Sequence, residues 1–182
     1  MKRAITAPPT LAPTALAELK AWLGISMTRD DAELTALIRT ALELCEGFIG
    51  TMPLVSGCEE VLTATGEWQS LATRPVRAIT GVVAVATDGT RTALAPNGYD
   101  IDIDGDGTGR MRLAQPIDQT RVAVRFTAGM AESWDTLPDA IQQGIVRWAA
   151  YQHRARDNDK AMAGPPASVA ALWRPWRRMR IA

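Results

Sequence analysis

The sequence predicts an α+β protein: a helical body, made of an N-terminal helical hairpin and C-terminal helices, with an inserted small antiparallel β-subdomain. Three observations predict this class. Apolar residues recur with helical spacing over residues 30–50 and again after Pro138. Between these segments, β-branched residues alternate with a period of two in several short runs. Turn pairs such as Asp88-Gly89 separate the runs, as in an antiparallel sheet.

Composition limits the class further. The chain has 182 residues, enough to bury a core without a disulfide or metal, and 20 Lys/Arg balance 20 Asp/Glu. Its two cysteines form neither a metal motif nor a disulfide framework, which indicates a reducing interior. We find no signal-peptide pattern and no apolar run of membrane-spanning length, so no membrane association is expected.

The helical parts are assigned from caps and periodicity. Residues 1–13 are predicted to be a flexible arm, and residues 14–53 a helical hairpin whose second helix ends at Gly50. Thr28 or Asp30 is expected to cap that helix, and its charged side carries Arg39, Glu43 and Glu46. Residues 131–160 hold a long helix that starts at Pro138, and residues 161–182 a loop, a short helix and a basic tail.

The segment 54–130 is predicted to be the β-subdomain, with five to seven short strands. The clearest runs are 58–65, 78–87, 99–103, 109–113 and 120–127. Between two of them, Asp102, Asp104 and Asp106 imitate the start of a calcium loop, but the glutamate that should close such a loop is missing. We interpret the stretch as an acidic hairpin tip, and a calcium-binding β module stays open as an alternative that calcium calorimetry would test.

Catalytic chemistry is not indicated. His153 is the only histidine and lies in a cationic helix end, and there is no nucleophile elbow, zinc-protease or phosphate-loop motif. We therefore expect no enzyme, no cofactor and no metal. The unusual stretch is the C-terminal one, because Trp and Arg are enriched at interface hot spots. Its residues are Trp173, Arg174, Trp176, Arg177, Arg178 and Arg180. Covering of the core edge, nucleic-acid binding and docking on a protein partner all remain open, and protein docking is favoured.

Four motifs in order resemble those of the head–tail connector (adaptor) proteins of long-tailed bacteriophages, prophages and gene transfer agents. The first is the leucine pattern LAELKAWL with the helix ending in EGFIG, and the others are RPVRAITGVVAV, VAVRFTAGM with its following helix, and VAALWRPWRRMRI. The resemblance covers residues 16–181. The tryptophans of the tail depart from the pattern, since many relatives carry tyrosine or smaller residues there.

The resemblance implies a structural virion subunit that forms a ring, commonly a dodecamer, under the portal. The ring extends the DNA channel without sequence-specific binding and joins the capsid to the next neck or tail-completion protein. The subunit would lie in the neck of a virion or virion-like particle, and in the host bacterial cytoplasm before assembly. A small DNA-binding or regulatory module that uses the Trp/Arg tail is the alternative, and salt-dependent binding of duplex DNA would favour it.

Two sets of contact residues follow from this interpretation. The tail from Trp173 onward is predicted to dock on the portal, and its deletion (residues 173–182) to leave a folded chain that cannot join heads to tails. A second set is predicted to contact neighbouring subunits or the tail: Arg39, Glu43, Glu46, Arg147, Arg154, Asp102, Asp104 and Asp106. Asparagine at the three aspartates is expected to alter assembly and not stability.

Overall fold

A computed structural model describes residues 3–155 and 164–178 and confirms the α+β class. The chain forms two compact units. One is a β unit that contains Leu54–Met130 together with the described residues up to Pro9. The other is a helical unit that contains Thr10–Pro53 and the described residues from Ala131 onward. Among the described residues, no helix combines the length and apolar character needed to cross a membrane.

The β unit contains two antiparallel sheets. The larger sheet has the order β1-β2-β8-β4-β5 and the smaller one β3-β7-β6. In chain order the strands are β1 Arg3–Ala7, β2 Ser56–Thr63, β3 Gln69–Ser70, β4 Val76–Val85, β5 Arg91–Ala93, β6 Tyr99–Ile103, β7 Gly109–Leu113 and β8 Arg121–Ala128. Alternation places Val122, Val124 and Phe126 on the buried face of β8, as their spacing predicts.

The N-terminal segment differs from its prediction as a flexible arm. Residues 3–7 form β1, which pairs with the edge of β2, although all five of its residues are exposed. The strand buries no apolar side chain, so periodicity could not reveal it. Main-chain hydrogen bonds to an available sheet edge hold it in place. Strand β3, only two residues long, was missed for the same reason.

The helical unit contains α1 Pro13–Leu23, α2 Asp31–Ile49, α3 Asp139–Ala155 and α4 Ala167–Trp173. Gly24 and Gly50 end α1 and α2 in the left-handed conformation, as their positions predict. The side-chain cap predicted for α2 is absent: Asp30 occupies the cap position without a capping hydrogen bond. Instead, Asp31 accepts a 2.6 Å bond from Lys20 and thereby links α2 to α1.

Helix α3 is the centre of the helical unit, because α1, α2 and α4 all pack against it. It is buried along most of its circumference, at Ile141, Ile145, Trp148 and Ala149 among others. It begins at Asp139, one residue after the predicted start at Pro138, and Trp134–Thr136 before it form a 3-10 turn. Residues 156–160 of the predicted helical segment lie outside the described residues.

Candidate functional site

The tail prediction is wrong for its first residue. Trp173 ends α4 and is fully buried in the helical unit. Its ring packs against Phe48 with centroids 5.9 Å apart, and its Nε1 donates to the Ile141 carbonyl at 3.4 Å. Gly144 makes room for it, since a Cβ there would lie 2.1 Å from Trp173 Nε1. Trp173 therefore holds the helices together and is not available for docking.

The residues after Trp173 lie against the end of α2. Arg174–Trp176 form a 3-10 turn, the Arg177 guanidinium lies 5.5 Å from the centroid of the Phe48 ring, and the Arg178 amide donates to the Ile49 carbonyl at 3.1 Å. That carbonyl belongs to the last turn of α2, where backbone acceptors lack helical partners. Arg174, Trp176 and Arg177 nevertheless expose their side chains, with Trp176 38% exposed. Arg180 lies outside the described residues.

The charged side of α2 faces outward. Arg39 and Glu43 are exposed and Glu46 is half-buried, while the opposite side of the helix is buried. Leu44 is also exposed, at 43%, which periodicity alone did not predict. Leu44 lies beside the charged residues on this side of α2, and a single exposed leucine is an ordinary surface feature.

The arginines of α3 lie beside exposed aromatic rings. The Arg147 guanidinium is 5.2 Å from the centroid of the Trp22 ring of α1, and Arg154 is exposed farther along α3. Tyr151 stacks on Trp148 with centroids 5.8 Å apart. Trp22 and Tyr151 are 45% and 40% exposed. Neither residue was predicted as a contact residue from the sequence, although an aromatic side chain outside the apolar stripe of its helix indicates an exposed ring.

The acidic stretch lies between β6 and β7 and is bound to arginines. Asp104 pairs with Arg110 at 2.5 Å, and Asp106 lies 3.7 Å from Arg74. Asp106 also accepts the Thr108 amide, which closes the turn. The turn is not a free tip, because a Cβ on Gly107 would lie 2.5 Å from Pro75. Asparagine at Asp104 or Asp106 would remove one partner of a partly exposed ion pair as well as a surface charge.

The described residues do not form a metal-binding site. No cluster of three or more His, Cys, Asp or Glu side chains is arranged to hold a metal there. Asp102 is exposed on β6 opposite Arg110, and Asp100 pairs with Arg112 at 2.9 Å. The carboxylates of the hairpin thus lie opposite arginine guanidinium groups. An aspartate that pairs with an arginine is a poor calcium ligand, and the sequence pattern alone did not reveal these pairs.

An ion cluster around the buried Glu59 carboxylate joins strands of the larger sheet. Arg91 donates to both oxygens of Glu59 at 2.6 and 2.8 Å, and Arg125 donates to the same carboxylate at 3.1 Å. Two strands, β8 and β4, lie between β2 and β5, so the long Arg91 and Glu59 side chains link strands that are not neighbours. Burial opposes ionisation of Glu59, but the two arginines outweigh it and hold its pKa below the usual range.

Replacing Glu59 with glutamine is expected to lower the free energy of unfolding by about 1–2 kcal/mol at pH 7, since both arginine partners are partly exposed. A carboxyl with a lowered folded-state pKa contributes its stability above the unfolded pKa of about 4.3 and loses it as pH falls. The difference from wild type should close below about pH 4 in urea titrations. Glu43→Gln, exposed on α2, should show no such difference, and a Glu59→Gln deficit that persists at pH 3 would contradict the prediction.

Comparison with known proteins gives structural neighbours. The chain matches no protein-family model, and it matches no curated protein. It is similar to a chain of the solved "Neck of empty GTA particle computed with C6 symmetry", with a TM-score of 0.77, 28% identity and coverage of 100% of this chain and 98% of that one. In "Virion of native gene transfer agent (GTA) particle" the TM-score is 0.74, with 28% identity and the same coverage. In "Neck of native GTA particle computed with C12 symmetry" it is 0.73, with 29% identity over 98% of this chain and 97% of that one.

These neighbours define the class of protein. The likeness extends over nearly the whole length of both chains, so it includes the helical unit, the β unit and the tail. It supports a structural, virion-neck protein of the bacteriophage and gene transfer agent kind, and a ring arrangement in a particle.

Proposed function

We propose that this protein is a head–tail connector subunit. It forms a ring under the portal, extends the DNA channel and joins the capsid to the next neck or tail-completion protein. The observation that carries the proposal is the full-length similarity to chains of particle necks, at 28–29% identity. The ring is a dodecamer in the particle, which agrees with the C12 symmetry of one neighbouring particle neck and with the C6 symmetry of another.

The chain's surface chemistry supports a ring around DNA. A cyclic ring uses heterologous contacts, so each subunit needs two different patches. The exposed side of α2 and the arginine-rich end of α3 are two such patches on one unit. The net charge of zero also suits a channel, because many phosphate contacts would hold DNA in place.

Purified particles provide the test. Heads from a producer that lacks this gene should be filled but tailless, and adding the purified protein should restore tails, as counted by electron microscopy. A gold-labelled chain should be seen between head and tail. Tailed particles that lack the chain would contradict the proposal. A DNA-binding module, in contrast, would shift duplex DNA in a salt-dependent manner and leave particles unchanged.

The portal contact is assigned to the exposed side chains after Trp173, namely Arg174, Trp176, Arg177 and Arg178, and to Arg180 beyond the described residues. In the described part, Trp176 offers a partly exposed ring beside arginines, which is the composition of interface hot spots. Because the segment begins next to the buried Trp173, the arm is anchored in the core and presents its far side chains to a partner.

Joint replacement Arg174→Glu with Trp176→Ala should leave the fold intact, since both side chains are exposed. The expected loss of two hot-spot contacts is about 2–4 kcal/mol, which corresponds to a drop in portal affinity of roughly 30-fold or more. Surface plasmon resonance on immobilised portal would measure it. Arg29→Glu is the matched control, because that arginine side chain is 77% exposed and lies outside the assigned surfaces. Equal affinities of the two variants would exclude this docking assignment.

A further inference from the structure

Two packed helices carry the unpartnered polar atoms of the helical unit. Within residues 3–155 and 164–178, four buried side-chain atoms lack a hydrogen-bond partner: Glu18 Oε2, Arg147 Nε, Trp148 Nε1 and Gln152 Oε1. All four lie on α1 or α3, which pack against each other. Folded chains satisfy nearly all buried polar atoms, and each exception requires an explanation. These atoms are buried within the single chain, so a second chain cannot reach them, and they show only that polar groups lie where α1 packs on α3.

The same two helices carry exposed aromatic rings and two arginines. We call these side chains the aromatic–arginine seam and define it by Trp22, Arg147, Tyr151 and Arg154. Trp22 and Tyr151 are 45% and 40% exposed, although aromatic rings of this size usually lie in the core. The arginines give the seam a positive charge, and Glu18 is already engaged by the Trp134 indole at 3.2 Å. The seam therefore fits an acidic surface with room for rings.

Helix α2 offers such a surface on its outer side. We call it the small-residue face: Ala36, Thr40 and Gly47 form an exposed strip, with Glu33, Glu43 and Leu44 beside it. Residues with these spacings share one side of a helix. Small side chains leave a shallow groove into which rings can settle. On the outer side of α2 the acidic residues Glu33, Glu43 and Glu46 outnumber the one arginine, Arg39, so the net charge there is opposite to that of the seam.

Gly47 gives this face an independent signal. A glycine in a helix interior destabilises it relative to alanine. At Gly144 the reason is the Trp173 ring, but a Cβ on Gly47 would meet nothing within 4 Å. The fold of the single chain thus gains nothing from the missing side chain at position 47. A surface that approaches α2 from outside would gain from it.

We propose that the small-residue face of α2 in one copy receives the aromatic–arginine seam of the next copy. The inference rests on the proposed ring and names its subunit contact. The two surfaces differ, as a head-to-tail contact requires. The small-residue face lies opposite the buried side of α2, which includes Ile38 and Cys45, so it remains available when α2 packs on α3. The symmetric particle necks among the structural neighbours supply the occupant, a second copy of this chain, and the opposite charges of the two surfaces fit it.

Two variants test the contact in assembled particles. Gly47→Leu fills the groove without a clash inside the chain, so its melting temperature should equal or exceed that of wild type. The amount of the Gly47→Leu chain on purified portal-bearing heads should nevertheless fall by about tenfold. The control variant Ala171→Leu, changed at an exposed position of α4, should assemble normally.

The second variant carries both Gly47→Cys and Tyr151→Cys. A short bismaleimide should cross-link this chain into a ladder of multimers in particles, and neither single replacement should give a ladder.

Background reaction in the cross-linking experiment is low. Cys45 and Cys58 are both buried, and burial raises the pKa of the Cys45 thiol, as does Glu46 to a smaller degree. Normal assembly of Gly47→Leu, or no ladder in particles that contain the double-cysteine chain, would overturn the contact and leave the proposed function standing. Absence of the wild-type chain from particle necks would overturn both.

Discussion

Trp173→Ala is expected to lower the free energy of unfolding by about 3–5 kcal/mol, the usual cost of removing a fully buried tryptophan. The substitution removes the ring that packs on Phe48 and fills the space above Gly144, and it leaves a cavity between α2, α3 and α4. For a chain of this size the melting temperature should fall by about 6–20 °C. Thermal and urea unfolding of the purified protein would measure both quantities.

Trp176→Ala is the matched control, because it changes the same residue type three positions later where the ring is 38% exposed. It should cost less than about 1 kcal/mol while weakening portal binding. Equal stability of the two alanine variants would contradict the assignment of Trp173 to the core.

The burial of Trp173 also affects the truncation proposed from the sequence, the deletion of residues 173–182. Removing residues 173–182 takes away Trp173 and should unfold much of the helical unit, so lost particle assembly would not report on docking. Deleting residues 179–182 keeps every contact described above.

Glu60→Ala is expected to cost about 2–5 kcal/mol, which makes it the second large effect. Glu60 is fully buried on β2, and its carboxylate accepts the amides of Ala72 and Thr73 at 2.8 Å and the Thr73 hydroxyl at 2.6 Å. The carboxylate thereby fixes the connection between β3 and β4. Alanine leaves two backbone donors and a hydroxyl without a partner, and an unpaired buried donor costs more than its hydrogen bond contributes.

Glu60→Gln removes the negative charge and keeps the size of the side chain, so its stability distinguishes the effect of charge from the effect of a cavity. The glutamine oxygen can still accept from Thr73, but its amide nitrogen cannot accept from Ala72, so the cost should fall to about 1–3 kcal/mol. Glu67→Ala, at an exposed position after β2, should stay within about 0.5 kcal/mol of wild type. Urea unfolding of the three variants would order them, and a neutral Glu60→Ala would show that the connection is held by other contacts.

Several elements could be predicted from sequence because their signals are local. The apolar period of α2 and its glycine stop, the turn at Asp88-Gly89 and the strand alternation in β8 are each contained in one short segment. Strands β6 and β7 have the predicted bounds, since turn residues delimit them on both sides. The resemblance to connector proteins used these same local patterns, and the structural neighbours support the neck class that it implied.

The candidate contacts were predicted less well, since exposure depends on what packs from elsewhere in the chain. Trp173 and Trp176 look alike in sequence, yet one fits above Gly144 and the other remains partly exposed. Likewise, the aspartates near residue 104 resembled a cation site until Arg74 and Arg110 were found beside them.

By itself, then, the sequence determined the α+β class, the helix α2 and the basic character of the tail, because periodicity, turn chemistry and charge are properties of neighbouring residues. Only the tertiary structure decided that the tail begins in the core, that residues 3–7 complete a sheet, and that Gly47 lies on an open face while Gly144 lies under a ring. The physical reason is that burial and hydrogen-bond satisfaction arise between segments far apart in the chain, and no local pattern records them.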